Sequence, residues 1–221
     1  GFTSGNNGTP AGSPESIVVR EALNADKDGL GFPFTDDSRD VIRLNGVDEI
    51  VNVGSAESLD DMWHGGGTVE AWIKPTGSTA NMGIVTKSTN EGQGWYIAFD
   101  SFSSNTWHLK FVGVHASTSV TAVKNNIISP DVWTHVVATY NSTAGQTALL
   151  YKNGEVLTSL NTNTASAGIY TTDASVDLQI GRKTTGGNYF KGKIDEVKLY
   201  NRTLLPAEIT KNYKHGKGKH S

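Results

Sequence analysis

Apolar and polar positions alternate along most of this chain with a period of two, which is the pattern of half-buried β-strands. In residues 68–75, Val69, Ala71 and Ile73 fall on one face, and Glu70 and Trp72 fall on the other. Similar short segments recur at intervals of roughly 8 to 12 residues, as they do in sandwiches and jelly rolls. The predicted strands are 41–45, 49–53, 68–75, 84–87, 95–100, 107–114, 119–124, 133–141, 147–153, 178–182 and 193–200.

The clearest turn signal is the pair Asn153-Gly154, which lies between two apolar segments. Both residue types tolerate positive φ, so the pair favours a tight hairpin. Strands joined by such turns pair in antiparallel fashion. The sequence therefore predicts an all-β fold, a two-sheet antiparallel β-sandwich of the jelly-roll kind.

The last predicted strand carries an unusual carboxylate. Regular alternation over residues 193–200 places Asp195 on the same face as Val197 and Leu199. A carboxylate among apolar side chains must be hydrogen-bonded, ion-paired or bound to a cation, because an unpaired buried charge is very costly. A short helix is predicted to follow, because Pro206 suits its first position and Glu208 its first turn.

Length and composition restrict the classes of function. A chain of 221 residues can form one sizeable β-sandwich domain. The net charge of −3 gives no electrostatic signature for nucleic acid, and no apolar stretch is long enough for a membrane span. Cysteine is absent, so the fold uses no disulfides. We therefore expect neither nucleic-acid binding nor membrane insertion.

Four passages resemble the laminin-G-like jelly rolls of the concanavalin A-like lectin/glucanase superfamily. The closing one is GKIDEVKLYNRTLLPAEI at 192–209. The others, in the family's order, are RLNGVDEIVNV at 43–53, TVEAWIKP at 68–75 and WTHVVATYNSTAGQTALLYKNG at 133–154. The resemblance covers residues 41–213 and implies a concanavalin A-like jelly roll with a short C-terminal helix. It says little about function, because function depends on sites added to a fold.

The two ends of the chain differ from this domain. Residues 1–40 are rich in Gly, Ser, Asn, Thr and Pro at their start and predict an extended N-terminal arm. The arm is either a linker or a segment that docks on a neighbouring protein subunit, and we favour docking. Residues 214–221 hold lysines and histidines without an acid and predict a basic C-terminal tail.

No catalytic constellation is evident. Retaining glycosidases need two carboxylates about 5 Å apart. The acid pairs of this chain, such as Asp195-Glu196, are adjacent in sequence, and adjacent side chains of a strand point to opposite faces. Glu70 and Glu155 are isolated acids. We therefore predict that the protein is not an enzyme.

A structural calcium ion is implied by the resemblance, because related jelly rolls often hold Ca²⁺ between their opening and closing strands. Asp195 matches the closing-strand position, and Asp48 and Asn45 could supply facing oxygens. Calcium requires several hard oxygen ligands. The alternative is that Asp195 accepts hydrogen bonds from backbone amides without any metal.

Glycan binding requires exposed aromatic rings that stack on sugar faces. Trp72 and Trp133 match family positions that usually belong to the core. Other aromatic residues lie in or beside Gly-rich loops, where binding residues are often found, although such residues can also pack at the rim of a sandwich. The predicted glycan-binding residues are Trp63, Trp95, Trp107 and Tyr189.

Two classes of function follow from these features. The first is a surface subunit that decorates or mediates adhesion of an assembled particle, such as a virion capsid or a cell surface, and that also binds glycans. The arm, the basic tail and a jelly roll without a catalytic constellation favour it. KNYKHGKGKHS at 211–221 and GLGFPFTDDSRDVIRLNG at 29–46 are also similar to laminin-G-like proteins of tailed marine phages. The second is a lectin-like module of a secreted protein, and a glycoside hydrolase is a distant third. Both leading alternatives predict an extracellular or virion-surface location.

Overall fold

The computed structural model describes residues 16–18, 41–89, 92–141, 145–184 and 187–221, with the backbone alone at 16–18. Of the predicted arm, only 16–18 lie within these ranges. The elements are β1 (Ser16–Val18), β2 (Ile42–Asn45), β3 (Val51–Gly54), β4 (Gly67–Pro75), β5 (Gly83–Ser88), β6 (Gly94–Ser103), β7 (Thr106–Gly113), β8 (Val120–Ile128), β9 (Thr134–Tyr140), β10 (Leu149–Lys152), β11 (Glu155–Val156), β12 (Thr162–Thr164), β13 (Leu178–Ile180), β14 (Arg182–Thr184), β15 (Gly187–Tyr189), β16 (Lys191–Tyr200) and α1 (Pro206–Lys217).

The strands form two large sheets that confirm the predicted sandwich. The first sheet has the order β1-β16-β4-β9-β10-β11, and β2 also pairs with β16. The second has the order β12-β8-β7-β6-β5-β13-β3, while β14 and β15 form a separate two-stranded ribbon. All pairings between described strands are antiparallel.

The hydrophobic core lies between the two large sheets and uses every second residue of their strands. This is the alternation that the sequence predicts. Contributors from the first sheet include Val69, Ala71, Ile73, Val136 and Ala138, and those from the second include Ile97, Phe99, Leu109, Phe111 and Ile180. The predicted hairpin is also confirmed, because Asn153 and Gly154 have φ of 52° and 81° between β10 and β11.

A β-bulge in β16 changes the expected orientation of Asp195. The register with β4 shifts between Asp195 and Lys198, and Glu196 has a φ of +46°. Ile194 and Val197 therefore both face the core, whereas Asp195 and Glu196 both face outward. The prediction that Asp195 shares a face with Val197 was wrong, because an extra residue in a bulge shifts the alternation.

Helix α1 packs on the outer face of the first sheet. Its Ile209 is buried among Val137, Tyr151, Tyr200 and Leu204. At the N-terminus, the Glu208 carboxylate accepts the Leu205 N–H at 2.8 Å, which satisfies one of the amides that a helix start leaves unpaired. Within the described ranges, no helix is long and apolar enough to cross a membrane.

The segment predicted as a basic tail is part of this packing. Helix α1 continues to Lys217, and His220 beyond it is only 7% exposed. Gly216 lies against Trp72, where an added Cβ would sit 2.3 Å from the indole nitrogen. The close approach of the helix to the sheet therefore depends on a glycine at this position.

Candidate functional site

A cleft of about 510 Å³ opens on the outer face of the first sheet, beside the end of α1. Its floor comes from β2, β16 and β4, and its sides come from the loop before β9 and from the last residues of the chain. The residues that line it are Val41, Arg43, Lys74, Asp131, Val132, Trp133, Lys193, Lys219, His220 and Ser221.

Three cationic side chains lie in one row across the floor. Arg43 on β2 is directly opposite Lys193 on β16, and Lys193 is directly opposite Lys74 on β4. Their strand neighbours Ile42, Ile73 and Ile194 are core residues, so all three cations point outward. Directly opposite Cβ atoms lie roughly 4.5–5.5 Å apart. We call Arg43, Lys193 and Lys74 the cation row.

The charges of the cation row are not neutralised locally. None of the three side chains forms an ion pair or a hydrogen bond with a residue in the described part of the chain. Among the lining residues, Asp131 is the single carboxylate side chain. Like charges directly opposite each other destabilise a sheet, so this row has an energetic cost. Half-buried cations without partners are equipped to bind an anion.

Trp133 forms the aromatic side of the cleft. It precedes Thr134, which is directly opposite Ile73, so it lies next to Lys74 at the end of the cation row. Its ring is half-buried and meets His220 edge to face, with centroids 4.7 Å apart. The expectation that Trp133 is a core residue is therefore wrong, because its ring is half-buried in the cleft lining and lies outside the hydrophobic core cluster.

His220 packs against Trp133 and fixes the C-terminal side of the cleft. Its ring stacks on Trp72 at 4.3 Å with an interplanar angle of 8°. Its Nδ1 is 2.8 Å from the Gly216 carbonyl oxygen, and its Nε2 is 2.9 Å from Oδ2 of Asp195. Both partners are acceptor atoms, so a ring nitrogen that carries a hydrogen donates to the oxygen it faces. The C-terminal segment is thereby tied to the sheet and keeps the cleft in shape.

A second polar cluster lies under α1 and does not open to solvent. The fully buried Glu70 carboxylate accepts hydrogen bonds from Lys198 at 3.1 Å, Tyr200 at 3.2 Å and Asn212 at 3.0 Å. Burial alone would raise the pKa of Glu70, but the nearby His135 and the charge of Lys198 lower it overall. The contact with Asn212 ties the helix to the sheet. The Glu70 carboxylate is fully buried, so it cannot reach a substrate in this arrangement.

Three of the four aromatic residues predicted to bind glycans are core residues, so the prediction for Trp63, Trp95 and Trp107 was wrong. Each is fully buried, and Trp63 stacks on Trp95 at 4.1 Å. The Gly-rich run beside Trp63 makes room for its ring, since a Cβ on Gly67 would lie 2.2 Å from the indole. Tyr189 is half-buried on β15 and stays a prediction.

The three predicted calcium ligands do not form one site. Asn45 lies opposite Lys191, and Asp195 is four residues further along β16, which corresponds to about 13 Å at roughly 3.3 Å per residue. The exposed Asp48 accepts a hydrogen bond from the Asn45 amide at 2.8 Å, and Asp195 pairs with His220. These residues do not fit a calcium site, and the described residues contain no group of three or more His, Cys, Asp or Glu side chains that could hold a metal ion.

A cluster of oxygen atoms elsewhere in the domain surrounds a lysine of the chain itself. The fully buried Lys87 ammonium lies 2.6 Å from the Val176 carbonyl, 2.9 Å from the Asp173 carbonyl and 3.0 Å from the Asp60 carboxylate. Asp173 adds a carboxylate oxygen at 3.6 Å. Sequence reasoning missed this cluster, because Lys87 is far from both acids along the chain.

The comparisons with known proteins agree with this architecture. The family model Laminin_G_3, described as concanavalin A-like lectin/glucanases superfamily, matches residues 45–210. No curated protein matches the chain in sequence.

Solved structures of similar fold share few residues with the chain. Domain 4 of AbnA, an extracellular GH43 arabinanase from Geobacillus stearothermophilus solved with arabinotriose, is 19% identical with a TM-score of 0.58 over 84% of this chain and 82% of that domain. The binding domain of Paraclostridial Mosquitocidal Protein 1 is 18% identical with a TM-score of 0.61, covering 79% and 43% of the two chains. The binding domain of botulinum neurotoxin DC in complex with SialylT is 14% identical with a TM-score of 0.60, covering 82% and 43%. The chain thus spans less than half of these two toxin domains.

The family match over three quarters of the sequence decides the assignment: this chain belongs to the laminin-G-like family of the concanavalin A-like lectin/glucanases superfamily.

Proposed function

We propose that this protein is a non-catalytic binding module that recognises carbohydrate in the cleft beside Trp133. The observation that carries the proposal is a half-exposed indole next to polar side chains that have no partner in the described structure. Saccharides are bound by aromatic rings that stack on the sugar face and by a few polar groups that fix its orientation. The cleft of about 510 Å³ lies within the usual size of ligand sites, roughly 300–1,000 Å³.

A binding role fits the cleft better than hydrolysis. Glycosidases need a pair of carboxylates about 5 to 9 Å apart across the scissile bond. Asp131 is the single carboxylate side chain of the lining. The nearby Asp195 and Glu196 are held by His220 and Lys219 at 2.9 and 2.7 Å. The sequence argument from opposite faces does not hold for this pair, yet both carboxylates are engaged by side chains of the C-terminal segment.

Two structural neighbours support a carbohydrate ligand. The arabinanase domain was solved with arabinotriose, and the neurotoxin domain was solved with SialylT. Their sequence identity to this chain is below one fifth, so the likeness concerns the fold. The ligands motivate a glycan screen, while the site itself is argued from the cleft of this chain.

We further propose that the module acts at an exposed surface, as a decoration or adhesion subunit of an assembled particle. The proposal starts from the N-terminal arm, whose β1 pairs with the edge of the first sheet of its own chain, with Ile17 opposite Leu199. A strand added to a sheet edge is a common way to join protein segments. Deleting residues 1–40 should leave a folded domain that no longer joins its assembly. Assembly of the truncated protein at the full-length level would contradict this role.

The glycan proposal is tested with a panel of immobilised neutral and acidic polysaccharides and three proteins. These are the full chain, Trp133→Ala and Tyr189→Ala. Trp133→Ala should abolish retention. Tyr189→Ala tests the remaining predicted glycan-binding residue, which lies outside the cleft, and should keep retention if the cleft is the site. Loss of retention in Tyr189→Ala alone would move the site to β15. Lack of retention of the full chain on every polysaccharide would overturn the proposed function.

A further inference from the structure

We infer that the ligand of the cleft is an acidic saccharide, whose carboxylate or sulfate groups lie on the cation row while a sugar face stacks on Trp133. The inference rests on the proposed function and names the chemical class of its ligand. It follows from the register of three strands, which brings together Arg43, Lys193 and Lys74 from distant parts of the chain.

The local charge of the cleft is opposite to that of the protein. The chain has a formal net charge of −3, with 22 acidic and 19 basic residues. The cleft nevertheless has four Lys or Arg side chains and one carboxylate side chain, that of Asp131. Lys219 is engaged by Glu196 at 2.7 Å, so within the described part of the chain the cation row is the positive charge of the cleft without an ion-pair partner. A concave surface of one sign raises the local concentration of ligands of the opposite sign.

The geometry of the row suits a chain of anionic groups better than a single anion. Adjacent cations are one strand spacing apart, about 4.7–4.9 Å, so the row spans roughly 10 Å across three strands. A single small anion can contact two of these side chains. A saccharide with charges on successive residues can contact all three and still reach the Trp133 ring next to Lys74.

The row also has no structural explanation among the described residues. Elsewhere in the first sheet, Lys198 pairs with Glu70 and Lys152 donates to the Ile127 carbonyl oxygen at 2.6 Å. The three cations of the row instead face one another across two directly opposed pairs, an arrangement that lowers stability. Residues that lower the stability of the fold, as these like charges do, are expected at functional sites.

The test is isothermal titration of the full chain with three probes: a heparin-derived hexasaccharide, tri-galacturonate and cellohexaose. The first two separate sulfate from carboxylate recognition, and the third is neutral. At least one acidic probe should bind, with an affinity that falls as salt rises, and cellohexaose should not bind. Lys193→Gln should weaken the acidic probe roughly 10- to 100-fold, as expected for a lost hydrogen bond between charged groups. Lys214→Gln removes the same charge from the exposed side of α1 and should leave binding unchanged.

The outcomes separate this inference from the proposed function. Equal binding of cellohexaose and the acidic probes, lost in Trp133→Ala and kept in Lys193→Gln, would overturn the acidic ligand and leave the carbohydrate site standing. Absence of binding by all three probes would overturn both. Oligo-dT that binds as tightly as the acidic saccharides would also overturn the inference, since the cleft would then select negative charge without regard to sugar.

Discussion

Replacing Lys193 with Gln should stabilise the protein while it weakens binding of the acidic saccharide. Lys193 is the centre of the cation row and lies directly opposite both Arg43 and Lys74. Most surface substitutions change stability by less than about 0.5 kcal/mol, and losses are more common than gains. A gain that accompanies a loss of binding is the signature of a residue kept for function at the expense of the fold.

The magnitude follows from the two opposed pairs. Each like-charge pair directly across two strands costs about 0.2–1 kcal/mol. Coulomb's law gives a similar value, about 0.6 kcal/mol for two unit charges about 7 Å apart in water. Removing the central charge relieves both pairs, so the free energy of unfolding should rise by about 1 kcal/mol. For a domain of this size that raises Tm by roughly 2–4 °C.

The assay is urea unfolding followed by circular dichroism, at an ionic strength of about 10 mM and again at about 500 mM. The gain should shrink at the higher ionic strength, because salt screens charges at the protein surface. Lys214→Gln is the matched control, with the same change in net charge and no expected gain. A Lys193→Gln protein that is less stable than the parent at low salt would refute the argument that the row is strained.

Three further predictions concern the framework of the cleft. Gly216→Ala should lower the free energy of unfolding, measured in urea, by about 1–3 kcal/mol, because the added Cβ would overlap the Trp72 indole. The overlap should outweigh the preference of Ala for helices. An unchanged urea midpoint would show that the helix shifts freely. Lys87→Met should cost about 3–5 kcal/mol by leaving carboxylates without their cation, and a neutral result would mean that water replaces the ammonium. The pKa of Glu208 is lowered from 4.5 to about 2 by its hydrogen bonds with Arg202, so this pair should stabilise the protein above pH 4.5 and lose its effect as the pH falls towards 2. Glu208→Gln should flatten that part of the stability curve, and a parallel curve would contradict the assignment.

The sandwich could be predicted from the sequence because its determinants are local. Alternation in β4 and the Asn153-Gly154 turn each follow from a few neighbouring residues, and the structure confirms both. The bulge at Glu196 could not be predicted in this way. Nothing in the sequence marks Glu196 for positive φ, so regular alternation was assumed and Asp195 was assigned to the wrong face.

The candidate site depends on pairings between distant strands. Arg43 and Lys193 are 150 residues apart in sequence, and only the register of β2 with β16 brings them together. A net charge of −3 cannot reveal such a local concentration of positive charge. The aromatic residues were misjudged for a related reason, because a tryptophan beside glycines is equally compatible with a loop platform and with close packing. Burial decides between the two for Trp63.

The most direct test of the ligand site is the response of the five tryptophan indole signals in a ¹H–¹⁵N spectrum during titration with the heparin-derived hexasaccharide. The site predicts a saturable shift of the Trp133 indole. Trp63, Trp95 and Trp107 should not respond, because they are fully buried between the sheets. A Trp133 indole that stays in place while the saccharide binds would contradict the assignment of the cleft as the binding site.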